Sequence, residues 1–477
     1  MVVLEEQEEG KLIRPLCYRQ ENDYLCGTFF LEKKGVKEKI SLGYKAVKAY
    51  LRVMINGFYY RRHYCQGVEN IPPEGTPVLM VSDHQNCLND ALGVLLSVND
   101  RKMRFIARAD AFEITPLFTK FLLWVGLRPA FRLMHQGEEQ LGKNQATFQI
   151  TEENLRNGHS ILIYPEAGHQ TRRWLGFFSH CYLRTAFHAA EQENFEKEFF
   201  ILPSCNHYSN YNGLRNDILI RFGKPISLAP YYALYKERPR TACRAVNKEV
   251  RARIRELMLD IRDLPHYDDI DYLRESRFGK DFARFLDKDP DILPEKLDAD
   301  RELVERLAAS EIPYAEVRAL REEMQSLGLK DRQFDRRPTF WAVLLQALLL
   351  LVTLPLAVLA IWPSLLAWVI PQHFSHKMED NMFEGTFMLP IDVLVLLPLS
   401  FLITVLAEWH WLGAWSLVHA FALPALCVFE WYWCRLWKWM CADIRFLKAG
   451  KRTQALKEKR EMIFTKLNTI LQWKNKK

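Results

Sequence analysis

The sequence predicts an α/β fold in which helices flank a mixed sheet, followed by a charged helical region and then a C-terminal transmembrane helical region. From Gly67 onward, short apolar runs alternate with amphipathic stretches, which is typical of a sheet with helices on its faces. Residues 228–337 are dense in Arg, Glu, Asp and Lys, whereas residues 340–439 are almost entirely apolar or aromatic. Because about 20 apolar residues cover the hydrocarbon core of a bilayer, the last region is long enough to span one.

Residues 1–66 precede this alternation. Residues 1–42 show little periodicity, and we expect them to form a poorly ordered leader. Residues 43–66 predict an amphipathic helix with one apolar side and basic residues elsewhere. Such a helix either lies in the headgroup layer of a membrane or packs on its own domain, and the sequence leaves both interpretations open. Its apolar side consists of Val47, Leu51, Met54, Ile55 and Phe58.

Residues 67–230 predict the α/β domain. Its strands are short apolar runs, and its helices carry apolar residues at the spacing of one helical face. Gly158 closes the third helix, because glycine favours the left-handed conformation that ends helices. The predicted strands are residues 77–82, 104–107, 129–132, 160–164, 199–203 and 217–222, and the predicted helices are residues 88–98, 116–125, 144–156 and 178–190.

The rest of the chain predicts helices. Residues 231–337 predict charged amphipathic helices broken by prolines, and they suggest no chemistry. Residues 338–440 predict a transmembrane region with candidate spans at 340–361, 387–407 and 412–429 and a shorter apolar piece at 362–370. Basic residues precede the first span and fill the tail, residues 441–477, so both flanks should be cytoplasmic and the number of crossings even. The sequence does not decide which segment completes that number.

Composition limits the classes of partner. The chain has 65 Lys plus Arg against 58 Asp plus Glu, a net charge of +7 that is too small to indicate nucleic acid and suits an anionic membrane surface. Its ten cysteines include no C-x-x-C pair and no spacing typical of a metal site, so we expect no disulfide framework and no metal. We therefore expect an integral protein of the cytoplasmic membrane, with its α/β domain on the cytoplasmic side and membrane lipids as partners.

Ionisable residues follow two of the predicted strands, at the point where open α/β sheets place their chemistry. His84 follows the strand at 77–82, and Asp90 lies about one helical turn beyond it. A carboxylate that fixes a histidine tautomer makes the imidazole a general base, although a histidine that caps the following helix has the same pattern. No G-x-S-x-G motif supplies a nucleophile, so the histidine would act directly on a substrate hydroxyl.

Four segments in order carry a resemblance to a known family. They are Asp83-His84-Gln85-Asn86-Cys87-Leu88-Asn89-Asp90, Pro129-Ala130-Phe131-Arg132, Tyr164-Pro165-Glu166-Ala167-Gly168-His169 and Ile201-Leu202-Pro203. Together they resemble the blocks of the glycerolipid (phospholipid/glycerol) acyltransferase family, including the 1-acylglycerol-3-phosphate and glycerol-3-phosphate acyltransferases. The resemblance covers roughly residues 67–226, where residues 104–110 and 223–226 match further family patterns.

The sequence departs from the family pattern at the first block. Five residues rather than four separate His84 from Asp90, so Asn89 occupies the usual carboxylate position. The longer spacing is similar to that of a branch resembling the fungal glycerol-3-phosphate acyltransferases, with which Asn86 and His169 agree. Asp90 is the better candidate for the histidine's partner, and Asp83 is the alternative.

The resemblance implies transfer of an acyl group from a thioester to a glycerol hydroxyl. His84 would be the base and Asp90 would orient it. The donor would be acyl-acyl carrier protein or acyl-CoA, without a bound cofactor. Another lyso-lipid acceptor, such as a lyso-aminoacyl lipid, and a catalytically silent scaffold are the alternatives. The implied acceptor-binding residues are Arg108 and Arg132 for a phosphate, Arg172 or Arg173 in support, and Glu166, Gly168 and His169 lining the site.

Overall fold

The computed structural model describes residues 40–99, 101–108, 112, 116–130, 148–166, 172–211, 214–376 and 396–473 of the chain. The side chains of Arg108, Phe118, Ala130 and residues 362–376 lie outside this description.

A mixed sheet of eight strands forms the centre of the N-terminal half, as predicted. The strand order is β1-β7-β6-β2-β5-β3-β4, with β8 paired to β6. Strands β7 and β8 run antiparallel to β6, and the remaining pairs are parallel. The strands are β1 (Arg62–Gln66), β2 (Val78–Ser82), β3 (Arg104–Arg108), β4 (Leu127–Ala130), β5 (Ser160–Ile163), β6 (Phe200–Tyr208), β7 (Asp217–Phe222) and β8 (Ile226–Ser227).

Two strands were not predicted from the sequence, and the bounds of two others differ from the prediction. Strand β1 has the sequence RHYCQ, which lacks an apolar run because this edge strand pairs only with β7 and is largely exposed. Strand β8 has only two residues. Strand β6 continues past Pro203 to Tyr208, through polar residues that are buried. Strand β4 begins at Leu127, two residues before the predicted start.

One face of the sheet is covered by α1 (Leu42–Arg52), the π-helical segment Val53–Tyr59 and α2 (Cys87–Ser97). Helix α2 approaches β7 closely, since a Cβ on Gly93 would lie 2.9 Å from Ile218 Cδ1. The same half of the chain contains α3 (Pro116–Val125) and the described part of α4 (residues 148–156).

The amphipathic helix expected at residues 43–66 requires correction. It ends by Tyr59, and residues 62–66 form β1. Leu51 and Ile55 are buried against the sheet domain, and the side chains of Lys48 and Arg52 donate hydrogen bonds to the end of α2. The apolar side therefore packs on its own domain instead of lying in a headgroup layer.

The opposite face of the sheet is covered by α5 (Cys181–Gln192) and α7 (Pro239–Leu257), which is preceded by the short α6 (Tyr232–Glu237). Strand residues alternate between the two faces, as the pleat requires. Val78 and Met80 of β2 contact the α1 side, whereas Leu79 and Val81 contact α5 and α7.

A helical region follows and packs against β7 through Leu219. The C-terminal helix α16 completes its core, because Leu456, Ile463 and Phe464 are buried there. The expected basic tail, residues 441–477, therefore contributes apolar surface to this region. The helices are α8 (Tyr267–Glu275), α9 (Arg277–Phe285), α10 (Leu293–Ala308), α11 (Tyr314–Ser326), α12 (Asp331–Arg336) and α16 (Lys451–Ile470).

Three apolar helices lie between α12 and α16: α13 (Phe340–His376), α14 (Leu397–Leu412) and α15 (Trp415–Ala449). In the described residues, Phe340–Ile361 and α15 are long and apolar enough to cross a membrane, by length and composition. Helices α13 and α15 are antiparallel, since Gln346 contacts Asp443 and Leu350 contacts Trp433. The short apolar piece at 362–370 continues α13, and part of the span expected at 387–407 lies outside the described residues.

Candidate active site

The turn from β2 into α2 brings a histidine and a carboxylate together. Cys87 opens α2 with a φ of 44°, a left-handed conformation that folds the chain back on itself. Asp90 then lies in the first turn of α2 and accepts hydrogen bonds from the backbone N–H groups of Gln85 and Asn86, both at 2.9 Å. These N–H groups at the start of the helix would otherwise lack partners.

His84 Nδ1 lies 2.9 Å from Asp90 Oδ2. Tyr208, at the end of β6, donates a hydrogen bond of 2.7 Å to Asp90 Oδ1. Asp90 is fully buried, whereas the side chain of His84 is 20% exposed. The carboxylate thus has four donors, and the imidazole remains accessible. This arrangement places the histidine proton on Nδ1 and turns Nε2 away from Asp90.

Asp83, the alternative partner, forms its hydrogen bonds with other groups. Its carboxylate accepts a hydrogen bond of 2.9 Å from Asn206 N and one of 3.2 Å from Ser82 Oγ. It therefore joins the ends of β2 and β6. Asn89, at the usual carboxylate position of the family pattern, donates a hydrogen bond to Asn86. The longer spacing of the first block instead brings Asp90 to His84.

The segment after β5 packs directly on the histidine. The ring of Tyr164 stacks on the imidazole of His84, with 4.2 Å between the ring centroids. Glu166 Oε1 accepts a hydrogen bond of 3.2 Å from His84 N. The first and third blocks of the sequence therefore form one site at the carboxyl ends of β2 and β5.

Two buried carboxyl groups in this site have shifted acidities. Burial raises the pKa of Glu166 to about 8, and the neighbouring charge of Asp83 contributes, while backbone hydrogen bonds from His84 and Gly176 oppose the shift. Burial, together with the charge of Asp90, also raises the pKa of Asp83 to about 8. Both groups are therefore largely protonated at neutral pH, and a protonated Glu166 can donate a hydrogen bond as well as accept one.

A second layer supports the pair. Arg173 Nη2 donates a hydrogen bond of 3.0 Å to the carbonyl of Tyr208, and its guanidinium lies 5.1 Å from the ring centroid of Tyr211. Tyr211 in turn donates a hydrogen bond of 2.7 Å to Gln85. The backbone N–H of Arg173 donates a hydrogen bond of 2.8 Å to the hydroxyl of Tyr267 in α8. Through this hydrogen bond, the helical region holds the backbone of Arg173 in place.

The structure brings His84, Asp90 and Glu166 together and leaves other predicted residues unplaced. Arg132, Gly168 and His169 lie outside the described residues, as does the side chain of Arg108. Arg172 is exposed, with its guanidinium 5.1 Å from the ring centroid of Tyr267.

Sequence reasoning missed Tyr164, Tyr208, Tyr211 and the supporting role of Arg173. Tyr208 and Tyr211 follow the apolar run from which the strand was predicted. Nothing in the sequence around them indicates that they lie near the Asp90 site. Tyr164 directly precedes Pro165 and was assigned only to the strand.

The comparison with protein families agrees with this geometry. Residues 62–206 match the family model described as Acyltransferase. This part of the chain is similar to acyltransferase domains. The match confirms the predicted resemblance to acyltransferases over this part of the chain and the prediction of an acyltransferase enzyme.

Among solved structures, the domain is similar to the 1-acyl-sn-glycerophosphate (LPA) acyltransferase PlsC from Thermotoga maritima. The sequence identity is 16% and the TM-score is 0.31, over 44% of this chain and 78% of that one. No curated protein matches the chain.

Proposed function

We propose that this acyltransferase transfers a fatty acyl group from an acyl thioester to glycerol-3-phosphate or 1-acylglycerol-3-phosphate at a membrane, in phospholipid biosynthesis. The observation that carries the proposal is the hydrogen bond of 2.9 Å between His84 Nδ1 and the buried carboxylate of Asp90. It supports an imidazole that is held through Nδ1, so that Nε2 can accept a proton from a bound hydroxyl.

The reaction would proceed in two steps. His84 Nε2 removes the proton from the acceptor hydroxyl as that oxygen attacks the thioester carbonyl carbon, which gives a tetrahedral intermediate. The intermediate collapses, the carbon–sulfur bond breaks, and the thiolate takes the proton from the imidazolium. Asp90 stabilises the imidazolium, and the base contributes about 10²- to 10⁴-fold in rate.

Acceptor recognition would use the protonated form of Glu166 and nearby guanidinium groups. A neutral carboxyl group beside His84 can donate a hydrogen bond to a glycerol oxygen without repelling an acceptor phosphate. Arg132 is our first candidate for that phosphate and Arg108 the second, because a guanidinium binds phosphate in a bidentate manner. Gly168 and His169 belong to the same proposed site. Arg172 is the weakest candidate, since its exposed guanidinium stacks on Tyr267.

Membrane attachment would be provided by α13 and α15. Their apolar side chains are widely exposed, as on Leu345, Leu349 and Val352, which is typical of a lipid-facing helix. Their antiparallel arrangement supports placing Arg336 and the basic tail on one side, which we propose is cytoplasmic. Cysteine substitutions at Arg336 and Arg452 should be labelled from the same side. Labelling from opposite sides would overturn this topology.

Mass spectrometry of lipid products tests the function. Membranes that contain the full chain are supplied with one acyl thioester and, in turn, each candidate acceptor. We expect lysophosphatidate from glycerol-3-phosphate or phosphatidate from lysophosphatidate with the wild-type protein, and no product with His84→Ala. The matched control, Asp83→Asn, should retain activity. Acylation of a lyso-aminoacyl lipid alone would replace the proposed acceptor, and equal activity in His84→Ala would remove the proposed base.

A further inference from the structure

Three guanidinium groups gather on one tryptophan where the apolar helices join the helical region. The guanidinium of Arg332 lies 3.3 Å from the ring centroid of Trp439, that of Arg435 lies 4.6 Å away, and that of Arg336 lies 5.8 Å away. Arg435 also lies 4.9 Å from the ring centroid of Trp431. We call Arg332, Arg336 and Arg435 the arginine cluster.

The described residues around the arginine cluster provide too little negative charge to balance its three positive charges. No described carboxylate forms an ion pair with its members, and Arg332 Nη1 and Nη2 are buried without a hydrogen-bond partner in that part of the chain. The neighbouring acid, Asp443, instead accepts hydrogen bonds from Gln333 at 3.4 Å and Gln346 at 3.1 Å. Burial lowers the pKa of Arg332 to about 10, the like charges of Arg336 and Arg435 add to this effect, and the charge of Asp443 opposes it. The site would gain stability from an anion.

The position of the cluster indicates the class of anion. Arg336 lies four residues before Phe340, the first residue of α13, whose exposed apolar surface begins there. Trp437, two residues after Arg435 on α15, is 50% exposed, and tryptophan is enriched at the level of lipid headgroups. A phosphate at this level can meet the guanidinium groups while its acyl chains lie along α13 and α15.

We propose that the arginine cluster binds the headgroup phosphate of an anionic phospholipid. The proposal rests on the membrane attachment proposed above, and it assigns a lipid site separate from the His84 site. Guanidinium groups suit this ligand because their planar N–H pairs match phosphate oxygens and their faces stack on tryptophan.

The full chain in detergent tests this site with three probes: phosphatidylglycerol, phosphatidylcholine and inorganic phosphate. Native mass spectrometry should show one retained phosphatidylglycerol per chain, and thermal unfolding should shift upward with phosphatidylglycerol but not with phosphatidylcholine. The double variant Arg332→Gln/Arg435→Gln should lose both effects, while the exposed tail variant Arg452→Gln should keep them. Without lipid, the double variant should unfold no earlier than wild type, because mutual repulsion has been removed.

Two outcomes would overturn the lipid site. One is an unchanged phosphatidylglycerol effect in the double variant. The other is an equal thermal shift with inorganic phosphate alone, which would assign the cluster to a soluble anion. Failure of membrane attachment itself is measured separately, because the wild-type chain would then be released from membranes by alkaline carbonate.

A different observation concerns the donor. A groove of about 680 Å³ lies along α5 and α7 and contains Arg184, Arg238, Arg240 and Arg244, with no acidic residue among the described residues that line it. All four arginines are exposed, and none forms an ion pair with a described residue. Arg240 and Arg244 are one turn apart on the same side of α7. We call this feature the basic groove.

The basic groove begins beside the active site. Phe178 forms a bridge with Glu166, and Ser179 N donates a hydrogen bond of 3.0 Å to Pro165 O. His180, the first residue of the groove, follows at once, so its Cα lies within about 12 Å of that of Glu166. Helices α5 and α7 cover the sheet face opposite α1 and the π-helical segment, and that segment contacts α15. The groove is therefore on the side away from this contact with the apolar helices.

We infer that the basic groove binds an acidic carrier protein that delivers the acyl thioester. This inference rests on the proposed function and selects acyl carrier protein over acyl-CoA as the donor. Four exposed arginines along two helices present an extended surface, which complements carboxylates along a protein helix. The side of the sheet on which the groove lies favours a soluble partner over membrane headgroups.

Donor kinetics of the full chain test the inference. The variant Arg184→Glu/Arg240→Glu/Arg244→Glu should raise the KM for acyl-acyl carrier protein at least about tenfold, with kcat for acyl-CoA unchanged. The same KM in wild type should rise with salt, and Arg452→Glu should leave it unchanged. An equal loss with acyl-CoA would assign the groove to the nucleotide, and a wild-type enzyme that uses only acyl-CoA would also overturn the inference. Absence of acyl transfer from both donors would instead count against the proposed function.

Discussion

Tyr208 Oη donates a hydrogen bond of 2.7 Å to Asp90 Oδ1, while His84 contacts the other oxygen of the same carboxylate. The tyrosine thereby fixes the plane of the carboxylate that orients the imidazole. Replacement of Tyr208 by Phe removes this bond and keeps the buried ring, so turnover should fall about tenfold while kcat/KM for donor and acceptor falls in parallel. Steady-state kinetics and thermal unfolding of Tyr208→Phe check this. A normal kcat in the folded variant would show that Asp90 needs no second anchor.

The two aspartates of the first block should respond differently to amidation. Asp90→Asn would present an N–H group to His84 Nδ1 and force the wrong tautomer, so kcat should fall about 10²- to 10⁴-fold. Asp83, largely protonated at neutral pH, closely resembles an asparagine, and Asp83→Asn should change kcat less than about threefold at pH 7. Turnover of both variants, compared with their thermal stability, gives the ranking. The reverse ranking would move the catalytic role to Asp83.

Protonation of Glu166 and Asp83 should make stability depend on pH. Their pKa values rise from 4.5 and 3.8 to about 8 in the folded protein, so the folded state binds more protons than the unfolded state within that window. The contribution of these two groups to the free energy of unfolding should be highest below about pH 4, fall as pH rises towards 8, and level off above it.

Glu166→Gln isolates one part of this effect, because glutamine keeps an oxygen that can accept the hydrogen bond from His84 N. The variant should gain at least about 1 kcal/mol over wild type between pH 5 and pH 8. Thermal unfolding in detergent across this range measures the difference. Parallel pH profiles of variant and wild type would contradict the raised pKa of Glu166.

Arg132 should act on one substrate only. Arg132→Gln removes a charge-assisted bidentate contact, so the KM for a phosphorylated acceptor should rise by about 10- to 100-fold while the KM for the thioester donor changes little. Arg172→Gln serves as the matched control, since the exposed Arg172 stacks on Tyr267, and it should have a smaller effect. An equal rise of both KM values for Arg132→Gln would indicate a structural role.

Local patterns were sufficient for the main features of the sheet domain. Helix α3 and strand β7 have the predicted bounds because their apolar runs end at turn residues. His84 and Asp90 could be paired from spacing because both belong to one strand–turn–helix unit. Contacts between segments that are far apart in the sequence leave no such local pattern. The bond from Tyr208 to Asp90 joins residues 118 positions apart, and it depends on how β6 aligns with β2.

The edge strand and the first helix show a second limit. Strand β1 is exposed and polar, so its sequence resembles a loop until β7 provides its hydrogen-bond partner. The apolar side of α1 has the same pattern whether it meets lipid or protein. Only the positions of β2, β7 and α2 decide that Leu51 and Ile55 are buried within the domain.

The C-terminal tail should be essential for the fold of the helical region. Trp473 is 2% exposed, and its ring centroid lies 5.5 Å from that of Phe278 and 5.4 Å from that of Phe282. Arg460 is fully buried and binds Asp331 through two hydrogen bonds, of 2.7 Å and 2.6 Å. Both residues follow the apolar helices in the chain but stabilise helices that precede them. Removal of everything after Arg337 would therefore expose the core of the helical region.

Trp473→Ala tests this dependence without removing the apolar helices. The loss of a buried tryptophan should lower the free energy of unfolding by about 3–5 kcal/mol, since the space it leaves cannot fully collapse. Met462→Ala is the control in the same C-terminal tail. Because Met462 is 65% exposed, this substitution should lower the free energy of unfolding by less than about 0.5 kcal/mol. Denaturant unfolding monitored on the full chain in detergent compares the two. Equal stability of both variants would show that the tail does not support the helical region, because loss of the buried Trp473 would then cost no more than loss of the exposed Met462.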